Sequence, residues 1–137
     1  MSKLSELLKR IEAAEGPDRE LDYEIWAALH GWKIKHNGMA RFFQTPDGHD
    51  SVRALRAPKL TSSLDAAIAL LERMLPGWHY EMACKMTRPF PHYTTMLTNQ
   101  WASYAAPRFT GQSESNQALA LLSALLSALI AKEGISR

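Results

Sequence analysis

The sequence of 137 residues is poor in the groups on which chemistry usually depends. Its single cysteine, Cys84, excludes an internal disulfide framework and any zinc site built from several thiolates. No G-x-G-x-x-G, phosphate-binding Gly-Lys loop, G-x-S-x-G or H-E-x-x-H occurs, so the common nucleotide, hydrolase and metalloprotease signatures are absent. Charge of one sign is lacking too. Sixteen Lys and Arg against 14 Asp and Glu leave a net charge of +2, too small to mark a nucleic-acid binder by itself. The opening MSKLSELLKRIEAAEG has glutamates where an export signal needs an apolar run, so a cytoplasmic protein is expected.

A membrane-length apolar run is also missing. The longest uncharged apolar stretch, ALALLSALLSALIA at 118–131, has 14 residues, short of the ~20 needed to span a bilayer. At ~100° per residue it sorts by size. Leu119, Leu121, Leu122, Leu125, Leu126, Leu129 and Ile130 fall on one half, and Ala120, Ser123, Ala124, Ser127, Ala128 and Ala131 on the other. The pattern predicts a core helix whose leucine half faces a sheet. The small, uncharged half predicts a second covered face, under either the N-terminal helices or a partner chain. Ala120, Ser123, Ala124, Ser127 and Ala131 are therefore the candidate protein-interaction residues.

What is present reads as one α+β domain over 1–137, in the order ααββαββα. Leu4, Leu7, Leu8 and Ile11 form one stripe of a helix over 3–15, ended by Gly16-Pro17. A second helix over about 17–30 carries Leu21, Ile25, Ala28 and Leu29. Trp32 and Ile34 then alternate with Lys33 and Lys35, and Asn37-Gly38 suits a two-residue hairpin turn between strands at about 32–36 and 39–44. After a loop, SSLDAAIALLERM predicts a third helix capped by Ser62 or Ser63 and stopped by Pro76-Gly77. WHYEMACKM alternates as a strand, with Trp78, Tyr80, Met82, Cys84 and Met86 on one face. NQWASYAA is the expected fourth strand, and Gly111 to Ser115 lead into the last helix. The architecture expected is a small antiparallel sheet of about four strands flanked by helices, an α/β/α sandwich.

Candidate chemistry is sparse. His79 and Glu81 share a strand face and have the groups to ligate a metal or exchange a proton, but two ligands do not close a site, and a solvated sheet face explains them. Asp47, His49 and Asp50 in DGHD lack the alternation of a calcium loop and fit a surface turn. Cys84 among Trp78, Tyr80, Met82 and Met86 reads as a small core residue rather than a nucleophile. Arg108 precedes a helix start able to hold an anion, where capping by Ser113 or Ser115 is the plainer account. No catalytic, cofactor or metal set is assigned. One cluster stands out: Lys33, Lys35, Arg41, Arg53, Arg56 and Lys59, interleaved with Trp32, Phe42 and Phe43. It suits single-stranded nucleic acid through phosphate contacts and stacking. The aromatics are also needed as core, and hairpin charges also guard sheet edges.

Three segments, ELDYEIWAALHGW, LTSSLDAAIALLERMLPGWHYEM and ASYAAPRFTGQSESNQALALLSALLSALI, together resemble the phage ABA sandwich domain family, small proteins of phages and prophages. The resemblance runs over about 17–131. It implies a sheet flanked by helices and a phage or prophage origin, and it implies no activity. The functional expectation is a non-enzymatic accessory protein acting in the bacterial cytoplasm by protein binding. The partner would be itself or a host factor, and inhibition of a host defence system would be one form. The alternative is nucleic-acid binding through the basic hairpin and the loop that follows. No cofactor, membrane or small-molecule substrate is expected.

Overall fold

The computed structural model describes residues 3–37, 40–45, 50–53, 57–86, 91–100 and 105–135, with the side chains at 36–37, 40–42, 50–53 and 133–135 outside that description. The chain runs α1 (Lys3–Ala13), α2 (Arg19–His30), β1 (Lys33–Asn37), β2 (Ala40–Gln44), β3 (Asp50–Arg53), α3 (Leu64–Met74), β4 (His79–Lys85), β5 (His92–Thr98), β6 (Arg108–Ser113) and α4 (Gln117–Ile135). This is the α+β class expected, but with six strands among the described residues, in two antiparallel sheets, β1-β2-β3 and β4-β5-β6.

The helices start and stop where their capping chemistry dictates. Asp18 accepts a hydrogen bond from the Leu21 N–H to open α2, and Gly31, at φ 70°, closes it in the left-handed conformation that glycine tolerates. Of the two serines expected to cap α3, Ser63 does so, accepting from the Ala66 N–H. The α4 cap is neither Ser113 nor Ser115 but Asn116, whose Oδ1 accepts from the Leu119 N–H at 2.8 Å. Ser113 instead turns the chain before it, its Oγ accepting from the N–H groups of Ser115 and Asn116.

Three strands lie where the sequence was expected to be loop, β3 among them, in the stretch between the hairpin and α3. HYTTMLT forms β5, the centre of the second sheet, although its polar threonines hide the alternation; RFTGQS forms β6 rather than a lead into the helix. The strand expected at NQWASYAA is not formed at 99–100 or 105–106, and 101–104 lie outside the described residues. The β1–β2 hairpin is present, with Asn37 opposite Ala40, one residue later than expected.

The core is organised around α4. Leu119, Leu121, Leu122, Leu125 and Leu126 are all fully buried, in one cluster with Leu4, Leu7 and Ile11 of α1, Leu21 and Ile25 of α2, and Leu70 and Leu71 of α3. The expected orientation of this helix is reversed. A Cβ placed on Gly111 of β6 would lie 2.1 Å from the Ala120 carbonyl oxygen, 2.5 Å from the Ala124 nitrogen and 2.9 Å from the Ser123 Cβ. The small-residue half therefore lies on the sheet, and the leucine half turns the other way, toward α1 and α3, both of which pack on α4. Small residues at this face allow helix and strand backbones to approach; leucines would hold them apart.

The second sheet thus lies on α4, on which α1 and α3 also pack, while α2 packs on α1 and on β1 of the first sheet. The far face of β4-β5-β6 presents His79, Glu81, Ala83, Lys85, Thr110 and Gln112, all exposed. The first sheet has its own small core, in which Phe43 packs with Ala27 and Ala57, beside Trp32 and Ile34. No helix among the described residues is long and apolar enough to cross a membrane.

Candidate functional site

The small-residue face offered by the sequence as a docking surface is occupied within the chain. Ala120 and Ala124 are fully buried and Ser123 is 4% exposed, all against β6. Ser127 is half-buried and donates to the Ser123 carbonyl at 2.9 Å, and Ala131 is half-buried farther along. Ala120, Ser123 and Ala124 thus seat the sheet on its helix.

The basic candidates are divided. Lys33, Lys35 and Lys59 are exposed. Arg41 and Arg53 occupy strand positions, Arg41 opposite His36 and Arg53 opposite Phe42, but their side chains, like all of Arg56, lie outside the described residues. Lys33 and Lys35 stand on one face of β1, and Ile34 between them faces the Phe43 core. Of the aromatics proposed as stacking platforms, Trp32 and Phe43 are engaged elsewhere, and the Phe42 side chain lies outside the described residues. Trp32 packs between His30, ring centroids 4.4 Å apart, and Phe43 at 5.6 Å, and Phe43 is buried.

The most enclosed carboxylate, Asp22, is 2% exposed and fully partnered. It pairs with Arg19 at 3.1 Å and accepts from the Thr61 N–H at 2.7 Å, while Arg19 donates to the carbonyls of Ala57 and Pro58. Asn116 joins the same knot through the Thr61 carbonyl at 3.0 Å. These bonds tie α2, the segment before α3 and α4 together, which is a structural task. Among the described residues no three His, Cys, Asp or Glu side chains gather as a metal site would require. Asp47 and His49 lie outside the described residues; Asp50 opens β3. Arg108 opens β6 and donates to the Ala106 carbonyl, away from the α4 start.

Two surface features remain. A cleft of about 890 Å³ follows the outer edge of β6 and the end of α1, lined among others by Glu12, Glu15, Gln112 and Glu114. Its one imidazole, His92, is engaged with the Gln112 Oε1 at 3.1 Å. The second feature is β4, the opposite edge of the same sheet. Here the expected burial of the apolar row is overturned. Trp78 and Met82 are half-buried against the core, but Tyr80 is 41% exposed, Cys84 is exposed and Met86 is 84% exposed. The reason is lateral placement, since α4 lies mainly under β5 and β6 and barely reaches β4. The Cys84 thiol lies 3.9 Å from the Met86 sulfur. His79 and Glu81 occupy the open polar face, as a solvated strand requires.

β4 therefore combines an outer edge that no described strand pairs with and a row of large apolar side chains in water. A shallow hollow of about 480 Å³, lined by Trp78, His79, Tyr80 and Glu81, lies at its start. Solvated edges of this kind invite another strand unless charge or a bulge blocks them. The β4–β5 register is unbroken from His79 opposite Thr98 to Lys85 opposite His92, so no bulge interrupts the strand. The residues that build this surface were visible in the sequence as one face of a strand. What the sequence did not carry is the strand's place at the edge.

Comparison of the chain with protein-family models, with curated proteins and with solved structures gave no match.

Proposed function

We propose that the protein is a non-enzymatic accessory factor that acts by binding a polypeptide, and that β4 is where it binds. The observation that carries this reading is the exposed row Tyr80, Cys84 and Met86 on a seven-residue strand whose outer edge pairs with no described strand. Strand addition supplies main-chain hydrogen bonds for affinity, and alternate side chains on the apolar face supply specificity. The resemblance to phage ABA sandwich proteins makes a phage or prophage origin the natural setting. There the partner is a second copy or a host factor, and blocking a host defence protein is one outcome of such binding. A photo-crosslinking residue in place of Tyr80, activated in bacterial cells, tests the reading. It should yield a discrete protein adduct that the same probe at Gln112, exposed on β6, does not. Equal, diffuse labelling from both positions would refute it.

A second reading, nucleic-acid binding, is favoured by one observation: Lys33 and Lys35 project together from the exposed face of β1. Phosphate contacts weaken steeply with salt. Retention on single-stranded DNA at low salt, lost in Lys33→Glu/Lys35→Glu, would favour it over β4, and no retention at low salt would retire it.

A further inference from the structure

We infer that β4 pairs with β4 of a second copy of this chain, antiparallel and centred on Ala83. The inference rests on β4 being the docking edge and names its occupant. Its ground is the order of residues along the strand. Antiparallel pairing about a two-fold axis sets each residue before the centre opposite the residue equally far after it. With Ala83 at the centre, Glu81 stands opposite the partner's Lys85, and Lys85 opposite the partner's Glu81. On the other face Tyr80 stands opposite the partner's Met86, and Met82 opposite the partner's Cys84. Both faces match at once, opposite charges on the polar side and large apolar groups on the other.

Neighbouring centres lose this match. About Met82, His79 meets Lys85 and Glu81 meets only Ala83. About Cys84, Lys85 meets only Ala83. About Glu81, two glutamates face each other. A centre falling between residues would set the apolar row of one copy beside the polar row of the other.

Nothing within the described chain answers these two charges. Across the sheet Glu81 faces Met96 and Lys85 faces His92, and no ion pair among the described residues includes either. Being four residues apart on one strand, roughly 13 Å, they cannot answer each other. Ala83 lies on the axis and faces its own copy, so no charge of this face is set against a like charge there. The product is one six-stranded sheet, β6-β5-β4 continued by the partner's β4-β5-β6, with both α4 helices beneath the same side. Tyr80, Cys84 and Met86 of each copy are then flanked by apolar neighbours.

The test is sedimentation of the full chain over a range of concentrations, with Glu81→Lys and Lys85→Glu prepared separately and folding checked by circular dichroism. The wild type should run as a dimer. By symmetry each substitution places two like-charged pairs at the seam, so each variant should dissociate about tenfold or more readily. An equimolar mixture of the two variants should recover the dimer, since each then supplies the charge the other needs. Independently, Ala83→Cys in a Cys84→Ser background should crosslink into a covalent dimer on mild oxidation, because the two introduced thiols meet at the axis. A dimer indifferent to both reversals and uncrosslinked through position 83 overturns the inference. So does a wild type that stays monomeric at every concentration. In the monomeric case the Tyr80 photo-probe separates the two failures: an adduct with another protein leaves β4 as a docking edge, and its absence removes both.

Discussion

β6 and β4 are the two outer strands of one sheet, and the protein treats them in opposite ways. β6 is pressed onto α4 until only a glycine fits, at Gly111. β4 overhangs the helix and keeps Tyr80, Cys84 and Met86 in water. The same alternating strand pattern thus yields a face seated on a helix on one side and an apolar row left in water on the other. The difference comes from where a single helix lies, and it teaches that an apolar row is core only if something is beneath it.

Substitutions at the two edges should separate accordingly, and the largest effect is expected at Gly111. Gly111→Ala would place a methyl against the backbone of Ala120 and Ala124, which cannot swing aside as a side chain can. We expect a loss of more than ~3 kcal/mol in denaturant unfolding. A loss under ~1 kcal/mol would mean that β6 is not seated on α4 as described. Next is the joint between them. Asn116→Ala removes the α4 cap and the bond to the Thr61 carbonyl, and should cost about 2 kcal/mol in the same measurement. Asn116→Asp should retain part of that, because it keeps the capping oxygen; equal loss in both variants would assign the effect to the Thr61 bond.

The smallest stability effect belongs to β4. Cys84→Ser should change stability by no more than ~0.5 kcal/mol, since the thiol is exposed. The native thiol should react with a water-soluble thiol reagent about as fast in the folded as in the unfolded protein when the protein is dilute. Slow labelling in the fold at every concentration would put Cys84 back in a core. Labelling that slows as concentration rises would instead report a seam closing over it.

Local rules carried much of the fold. Ser63 and Pro76-Gly77 delimit α3 by capping and backbone geometry that neighbouring residues decide, so they could be read directly; α1 instead ends at Ala13, before Gly16-Pro17, and Asp18 caps α2. β5 could not, because His92, Thr94 and Thr98 make its pattern polar and its identity comes from strands on both sides. The large-against-small sorting of α4 was legible, but its direction was not. Leucine on a sheet and alanine on a sheet are both sound packing, and Gly111 decides between them from another element. For the candidate site, the alternation from Trp78 to Met86 and the opposite charges at Glu81 and Lys85 were plain in the sequence. The exposure of that row depends on the lateral position of α4, which no local pattern records.

The continuous burial of α4 over 118–126 has a consequence for how the molecule comes apart. The β4-β5-β6 sheet and the helices α1 and α3 meet chiefly through this one helix, so neither can open without stripping leucines or the Gly111 seat from it. Such an arrangement makes these parts a single cooperative unit, whose best-protected amide hydrogens should exchange only through its full unfolding. The β1-β2-β3 sheet is attached mainly through α2 and has its separate small core around Phe43. It is free to open on its own at lower cost, a second cooperative unit on the same chain.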